Sequence, residues 1–327
     1  VCPTAAITEK DDTEKFEKAL ADPKKMVVIQ IAPSVRFSFG EEFGQPAGTF
    51  WEGKLVAAIK ELGADHVFDT TLGADLTIVE EANELIARIK SGKKIPMFTS
   101  CCPSWVLFVE KYFPEFIPNL SSCKSPQQML GALTKTYWAA QEKVDPKNIV
   151  SVSVMPCTSK KYEAARVEMK ASLPAGEEGK YQDVDIVLTV RELARLLRKK
   201  KINPAYLEDK RFDAALGSAT GAGILFAQSG GVMEAALRTA VEKLTGEKLG
   251  KVEFEMIRGE TEYKCAEIEI GKIKLRIAVV HEIRNVRKLL EEIKSGKANF
   301  NFIEVMACPN GCIGGGGQPQ PTNKFVR

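Results

Sequence analysis

Residues 149–157 read Ile149-Val-Ser-Val-Ser-Val-Met-Pro-Cys157, a short valine-rich run that meets a proline and then presents a cysteine. β-branched residues at this density predict a strand, here over 149–154. The arrangement recurs twice, with 95–99 leading to Cys101 and Cys102 and 302–306 leading to Cys308. Further strand-length runs lie at 27–31, 66–69, 186–189 and 275–281. Between them, apolar residues fall at helical spacing over 49–62, 76–90, 126–143, 190–199, 232–244 and 284–294. This alternation predicts an α/β fold with parallel sheets. The runs 267–270 and 274 onward, joined around Gly271-Lys272, predict a β-hairpin added to one sheet.

A chain of 327 residues, 44% hydrophobic, suffices for one large two-lobed domain or two ordinary ones. Composition breaks fall at 118–122, at the Pro-, Gly- and Glu-rich 174–180 and at 245–251. The expected organisation is a linker over 1–24 and two lobes, 25–145 and 146–327. Each lobe is expected on a twisted, mainly parallel sheet flanked by helices, with a cofactor in the cleft between them. Basic and acidic residues number 46 and 43 and are interspersed, which leaves no electrostatic footprint for nucleic acid or a membrane surface. Apolar runs such as 26–32 and 277–280 are strand-length, so no membrane helix is expected.

Eight cysteines in a chain this long are too sparse for a disulfide scaffold. A reducing compartment, the cytoplasm, and metal ligation fit better. The periplasm stays open as an alternative because the chain begins Val1-Cys2-Pro3 without an initiating Met.

In parallel sheets the carboxyl ends of the strands face the crevice where ligands bind, so cysteines remote in sequence can converge there. Simple burial is the usual fate of a free cysteine and is the reading for Cys123 and Cys265, which lie outside any motif. The strand-end set differs, because Met-x-Cys recurs at Met155 and Met306 and the last pair, Cys308 and Cys312, leads into a glycine run. Structural zinc sites usually pair cysteines two residues apart; here the close pairs are adjacent or separated by three, so an iron-sulfur cube with scattered ligands fits better. Glycines there would let backbone approach a bulky cofactor. Spacing carries the argument to a cluster with a spare thiol beside it and no further. A nucleotide site is disfavoured, since Gly217-Ser-Ala-Thr-Gly-Ala-Gly223 lacks the Lys-Ser/Thr ending of a phosphate loop and no GxGxxG follows the first strand.

Three stretches resemble the signatures of FeFe-hydrogenases, in that family's order: Thr99-Ser-Cys-Cys-Pro-Ser-Trp105, Met155-Pro-Cys-Thr-Ser-Lys-Lys-Tyr-Glu163 and Glu304-Val-Met-Ala-Cys-Pro-Asn-Gly-Cys-Ile-Gly-Gly-Gly-Gly-Gln-Pro319. The resemblance implies an H-cluster: a 4Fe-4S cluster joined through a cysteine sulfur to a two-iron subcluster carrying CO, cyanide and azadithiolate. It further implies that Cys102, Cys157, Cys308 and Cys312 hold the cube, that Cys312 bridges to the two-iron unit, and that Cys101 stays unligated and passes protons. Pro33, Ser34 and Lys160 match positions around the cyanides, and Gln127, Met155, Phe226 and Met306 match the remaining pocket wall. Off this motif, adjacent lysines read as solvated surface; within it, Lys160 offers charge-assisted hydrogen bonds to an anion.

Glu81 and Glu84 lie three apart on a predicted helix and share a face. With Cys101 and Ser121 they match the family's proton path, which ends near Arg88; the bland alternative is a solvated acidic face. Cys2-Pro3 resembles the last Cys-Pro of a bacterial ferredoxin motif, which makes 1–24 the remnant of an upstream ferredoxin-like domain. Expected partners are a ferredoxin or ferredoxin-like domain, dedicated maturation enzymes and a small subunit. Cys123 has no expected role beyond packing or oxygen sensitivity. The alternative is a non-catalytic relative, an H2 sensor or an iron-sulfur assembly protein. Cys101, Glu81, Glu84 and Ser121 together favour the enzyme, since a sensor needs no fast proton path.

Overall fold

The computed structural model describes residues 6, 8–170, 181–214, 217, 220–221, 223, 230–246, 255–257, 263–270 and 273–320. Its strands are β1 (Met26–Ile31), β2 (His66–Asp69), β3 (Met97–Phe98), β4 (Ile149–Met155), β5 (Ile186–Thr189), β6 (Glu255–Ile257), β7 (Tyr263–Ile270), β8 (Ile273–His281) and β9 (Phe302–Met306). Its helices are α1 (Thr13–Ala21), α2 (Glu52–Glu61), α3 (Thr71–Ser91), α4 (Pro103–Tyr112), α5 (Pro126–Leu133), α6 (Ser159–Ala164), α7 (Val190–Lys199), α8 (Gly231–Thr245) and α9 (Ile283–Lys294). Among the described residues no helix is long and apolar enough to cross a membrane.

The chain divides into two compact units, one from 1–70, 130–217 and 315–327, the other from 71–129 and 218–314. The first holds a four-stranded sheet of order β2-β1-β4-β5, parallel throughout. Its strands are buried almost without interruption, as befits a parallel sheet covered on both faces. Ile29, Ile31, Val152, Val154 and Leu188 pack with Phe16 of α1, Leu55 and Ile59 of α2, and Leu193 and Leu197 of α7. A capping box starts α7: Thr189 Oγ1 accepts from the Glu192 N–H at 3.2 Å, and Glu192 Oε2 accepts from the Thr189 N–H at 2.7 Å. Lys161 Nζ neutralises the buried Glu192 at 2.9 Å and also donates to Asp12 at 2.7 Å, which anchors the entry to α1. Gly131 of α5 lies so close to the Asp183 carbonyl that a Cβ has no room. Gly131→Ala is therefore expected to lower unfolding free energy by about 1–3 kcal/mol in a urea titration, because the atom it meets is backbone.

The second unit holds a five-stranded sheet of order β3-β9-β8-β7-β6. Side chains alternate along β9. Phe302 joins Met97, Ile277, Leu85 of α3 and Met233, Leu237 and Val241 of α8 on one face. Ile303 and Val305 join Phe98, Trp105 and Val109 of α4 and Leu289 and Leu290 of α9 on the other.

The α/β expectation holds, with three corrections. The second sheet is mixed: β3·β9 and β9·β8 are parallel, but β8·β7 and β7·β6 are antiparallel. The expected hairpin supplies this, and β7 runs back to Tyr263, while Gly271 and Lys272 lie outside the described residues. The strand expected over 95–99 shrinks to Met97–Phe98, preceded by Pro96, which has no N–H for a ladder. The division expected near Asp145 is crossed by the β1·β4 ladder, from Met26 beside Ile149 to Ile31 beside Val154, so strands from both expected lobes share one sheet. The helix expected over 126–143 passes through a π-turn at Thr134–Trp138, and α1, α4 and α6 are additional to the expected set.

Candidate metal centre and proton path

In the first unit, β1 and β4 run parallel with Ile31 beside Val154, so the segments after them leave the same edge of the sheet. One is the 3-10 turn Pro33–Phe37, the other Pro156-Cys157. Ser34 is buried and its hydroxyl meets no partner among the described residues. A buried donor without an acceptor is costly, so this hydroxyl fits a group that brings an acceptor to it. Gly317 closes on the same turn: its N–H donates to the Pro156 carbonyl at 2.8 Å, and a Cβ there would stand 3.0 Å from the Cys157 nitrogen. Gln318 is held beside it, accepting from Ser38 Oγ at 2.5 Å through its side chain and from Arg191 at 2.6 Å through its carbonyl. Met155 is buried at the end of β4. Lys160 is neither solvated surface nor unengaged: its side chain is 12% exposed and its Nζ donates to both Glu163 oxygens at 3.0 Å.

In the second unit, Phe98 lies beside Ile303, and the Thr99 N–H extends the ladder to the Ile303 carbonyl at 3.0 Å. Thr99 then pins the strand ends, its hydroxyl accepting from the Val305 N–H at 3.1 Å and its carbonyl from Trp105 Nε1 at 3.0 Å. Cys101 and Cys102 thereby emerge next to Ala307 and Cys308. Cys102 occupies the N-cap of α4, with Pro103 at the first helical position, and its sulfur accepts from the Ala307 N–H at 3.4 Å. Cys101 is buried and packs with Val232 and Met306. Beyond Cys308, positive φ at Asn310 and Gly311 reverses the chain and places Cys312 in the turn Gly311–Gly314. A Cβ on Gly314 would collide with the Pro309 carbonyl oxygen. Gly314→Ala is expected to shift Cys312 and to cut iron bound after reconstitution to about half or less, by colorimetric iron assay against protein concentration.

None of the described cysteines forms a disulfide, and among the described residues no group of three or more His, Cys, Asp or Glu could hold a single metal ion. The donors at the strand ends are thiols with thioethers beside them, a soft set suited to iron-sulfur bodies. Taken unit by unit, Cys102, Cys308 and Cys312 of the second are suited to iron ligation, and in the first Cys157 and the Ser34 hydroxyl, which meets no partner among the described residues, are suited to a thiolate and a hydrogen-bond donor.

Glu81, Glu84 and Arg88 lie on one face of α3. Burial pushes Glu84 up, but the Ser122 N–H at 2.9 Å, Arg88 Nε at 3.0 Å and the Ser122 hydroxyl at 2.9 Å outweigh it and hold the carboxyl below its ordinary range. Ser121 Oγ lies 3.4 Å from the same carboxylate and Cys123 Sγ 3.9 Å. Glu81 is fully buried, and among the described residues neither of its oxygens accepts a hydrogen bond in good geometry. Burial lifts it to about 8, with the Ser121 hydroxyl opposing and the charges of Glu84 and Glu304 reinforcing. At neutral pH the face thus carries a proton-bearing acid one turn from a charged base. Cys123 is pushed up to about 12 by burial and by the same carboxylates, which makes its thiol a hydrogen-bond donor to Glu84. Arg88 is fixed by the carbonyls of Lys94, Asn119 and Leu120 at 3.1, 2.9 and 2.6 Å. Gln127 is buried in the first turn of α5. Phe226 and Cys2 lie outside the described residues.

Sequence reasoning passed over Ser122, Glu163 and Glu304. Only Glu304 left a visible signal, a carboxylate in the apolar strand Phe302–Met306. It is fully buried; burial raises it to about 7 against backbone donors from Met233, Gly230 and Val232.

Residues 25–316 match the family described as "Iron only hydrogenase large subunit, C-terminal domain". The chain is 49% identical over 325 residues to the NADP-reducing hydrogenase subunit HndD of Solidesulfovibrio fructosivorans, covering 98% of this chain and 54% of that protein. It is 45% identical to iron hydrogenase 1 of Clostridium pasteurianum, covering 98% and 55%. The chain therefore spans about half the length of these curated relatives. Among solved structures it resembles a variant of apo [FeFe]-hydrogenase HydA1 from Chlamydomonas reinhardtii, with a TM-score of 0.87, 38% identity and coverage of 97% of this chain and 86% of that one.

Proposed function

Because this chain belongs to the iron-only hydrogenase family, we propose that it is the catalytic part of an oxidoreductase that interconverts protons, electrons and H2. The observation that carries this reading is the fully buried Glu81 one turn from Glu84, which Ser122 and Arg88 hold by hydrogen bonds, on one helix face in the unit that also buries Cys101. Acids whose surroundings drive their pKa values apart are the mark of a proton path.

Cys102, Cys157, Cys308 and Cys312 would supply the thiolates of a 4Fe-4S cluster, with Cys312 also bridging to a two-iron subcluster bearing CO, cyanide and azadithiolate. When bound, that group supplies the redox chemistry at which the H–H bond is made or broken, chemistry no side chain offers. Ser34 would donate its unpartnered hydroxyl to an anionic ligand, with Pro33 beside it. Lys160 would turn one N–H the same way while Glu163 keeps its charge balanced. Met155, Met306, Gln127 and Phe226 would form an adaptable, water-excluding wall. Glu84, held ionised at the more exposed end, takes a proton from solvent; Ser121 Oγ passes it on; Glu81 holds it; and Cys101 Sγ delivers it. A ferredoxin or ferredoxin-like domain is the proposed electron partner, dedicated enzymes the source of the two-iron unit, a small subunit an additional partner, and the cytoplasm the compartment.

The test is to mature the purified chain and measure H2 evolution from reduced methyl viologen alongside infrared absorption. Metal-bound CO and cyanide bands together with turnover are expected. Both bands without evolution or uptake would sink the catalytic reading and leave a sensor. Cys308→Ala is expected to lose the bands and most of the iron.

A further inference from the structure

The face of β9 that carries Phe302 also carries Glu304 and Met306, two residues apart each time. Phe302 packs on Met233 of α8, and Met306 packs on Cys101 and Val232. Glu304, between them, reaches the start of α8: Oε1 accepts from the Gly230 N–H at 3.0 Å and Oε2 from the Met233 N–H at 2.9 Å. The residue at the N-cap of α8 is Gly230, which has no side chain to cap with and sits at φ 82°. Its first turn is therefore held by a carboxylate from a strand remote in sequence, aimed at donors that a helix terminus leaves unpaired. Val232 lies inside that clamped turn, fully buried.

We propose that Glu304 is a positioning residue for Cys101, fixing Val232 against the thiol by clamping the first turn of α8 through both carboxylate oxygens. The inference deepens the hydrogenase reading, because it assigns Cys101 the delivery of protons and Glu304 the geometry of that delivery. Proton transfer depends steeply on donor placement. Glutamine at 304 keeps the shape but turns one acceptor into an N–H donor facing the Gly230 or Met233 N–H, so the clamp opens on one side.

The experiment compares the full chain with Glu304→Gln and with Val241→Ala, a control near the far end of α8 that loosens the helix without touching its first turn. Iodoacetamide labelling is read site by site by peptide mass spectrometry, with Cys265 as the internal reference. In Glu304→Gln, Cys101 is expected to label about 10-fold faster relative to Cys265, with a drop of about 10-fold in H2 turnover at unchanged CO and cyanide bands. Val241→Ala should leave the ratio at the parent value even where its melting temperature falls as far. An unchanged ratio in Glu304→Gln, or an equal rise in both variants, overturns the proposal. If Glu304→Gln does not fold, Val232→Ala takes its place; it removes the wall and keeps the clamp, and an unchanged Cys101 rate there overturns the proposal equally. Labelling is read without H2, so a chain inert toward H2 in which the ratio still rises loses the hydrogenase reading but keeps Glu304 as the clamp.

Discussion

Cys101→Ala should leave the CO and cyanide bands of the matured protein in place and lower H2 turnover by on the order of 1000-fold. Cys101 is 8% exposed and packs with Val232 and Met306, so alanine removes one sulfur from an apolar contact and costs about 1 kcal/mol of stability. The cluster thiols proposed here are other residues, so iron content should not change. What disappears is the thiol that, on the proposed path, hands the proton to the metal unit. Serine at 101 is expected to fare little better, because its hydroxyl gives up a proton far less readily than a thiol. Turnover within threefold of the parent in the alanine variant would remove Cys101 from the path.

Glu81→Gln should abolish most turnover, about 100-fold or more, while raising stability at alkaline pH. Burial lifts this carboxyl from its ordinary 4.5 to about 8. Below about pH 4.5 both folded and unfolded chains hold the proton. Between the two values the unfolded chain has released it and the folded chain has not, so folding stability falls as pH rises and levels off above about 8. The loss is on the order of 5 kcal/mol. Glu304, lifted to about 7, adds a loss of the same sign over a narrower window. Glu84 acts oppositely, since its lowered pKa gives stability that is present at neutral pH and lost on acidification. Glutamine at 81 cannot ionise, so the variant should melt above the parent at pH 8 and the gap should close towards pH 5. A variant that melts below the parent at pH 8 would mean that Glu81 is stably ionised in the folded chain.

The strands and the cysteines that follow them were legible because both depend on local signals. Runs such as Ile149–Met155 and Phe302–Met306 are dense in β-branched residues and end where composition changes abruptly. α7 was legible for the same reason, with a capping box at Thr189 and Glu192 and a strongly one-sided apolar pattern. The three signature motifs added what spacing could not, the kind of cofactor. Glu81 and Glu84 were recognisable as a pair, but their opposite protonation states depend on Ser121, Ser122 and Arg88 and on depth of burial, none of which is sequence-local. Glu163 was hidden because Lys160-Lys161-Tyr162-Glu163 reads as a solvated turn; only the folded chain shows Lys160 and Lys161 drawn inward to carboxylates. The hairpin that makes the second sheet mixed was legible at 267–270 and 274 onward, but β6 and the start of β7 were not, because Glu255–Ile257 is only three residues long and the alternation of 267–270 breaks at Cys265-Ala266. The crossing of the expected boundary by β1·β4 is a long-range pairing that no short window reports.

The β3·β9 pairing joins residues 97–98 to residues 302–303, and among the described residues β9 is the only strand hydrogen-bonded to β3 in its sheet. While a ribosome is still extending the chain, β3 and the thiols after it must wait without that neighbour until some two hundred further residues have emerged. Pairings of such separation form slowly, since a large loop must close before any contact rewards it. Cys308 and Cys312 emerge later still. The proposed iron loading at these thiols therefore waits until Cys312 has emerged, and a nascent chain stalled before Phe302 would expose β3 as a raw edge for chaperones to cover.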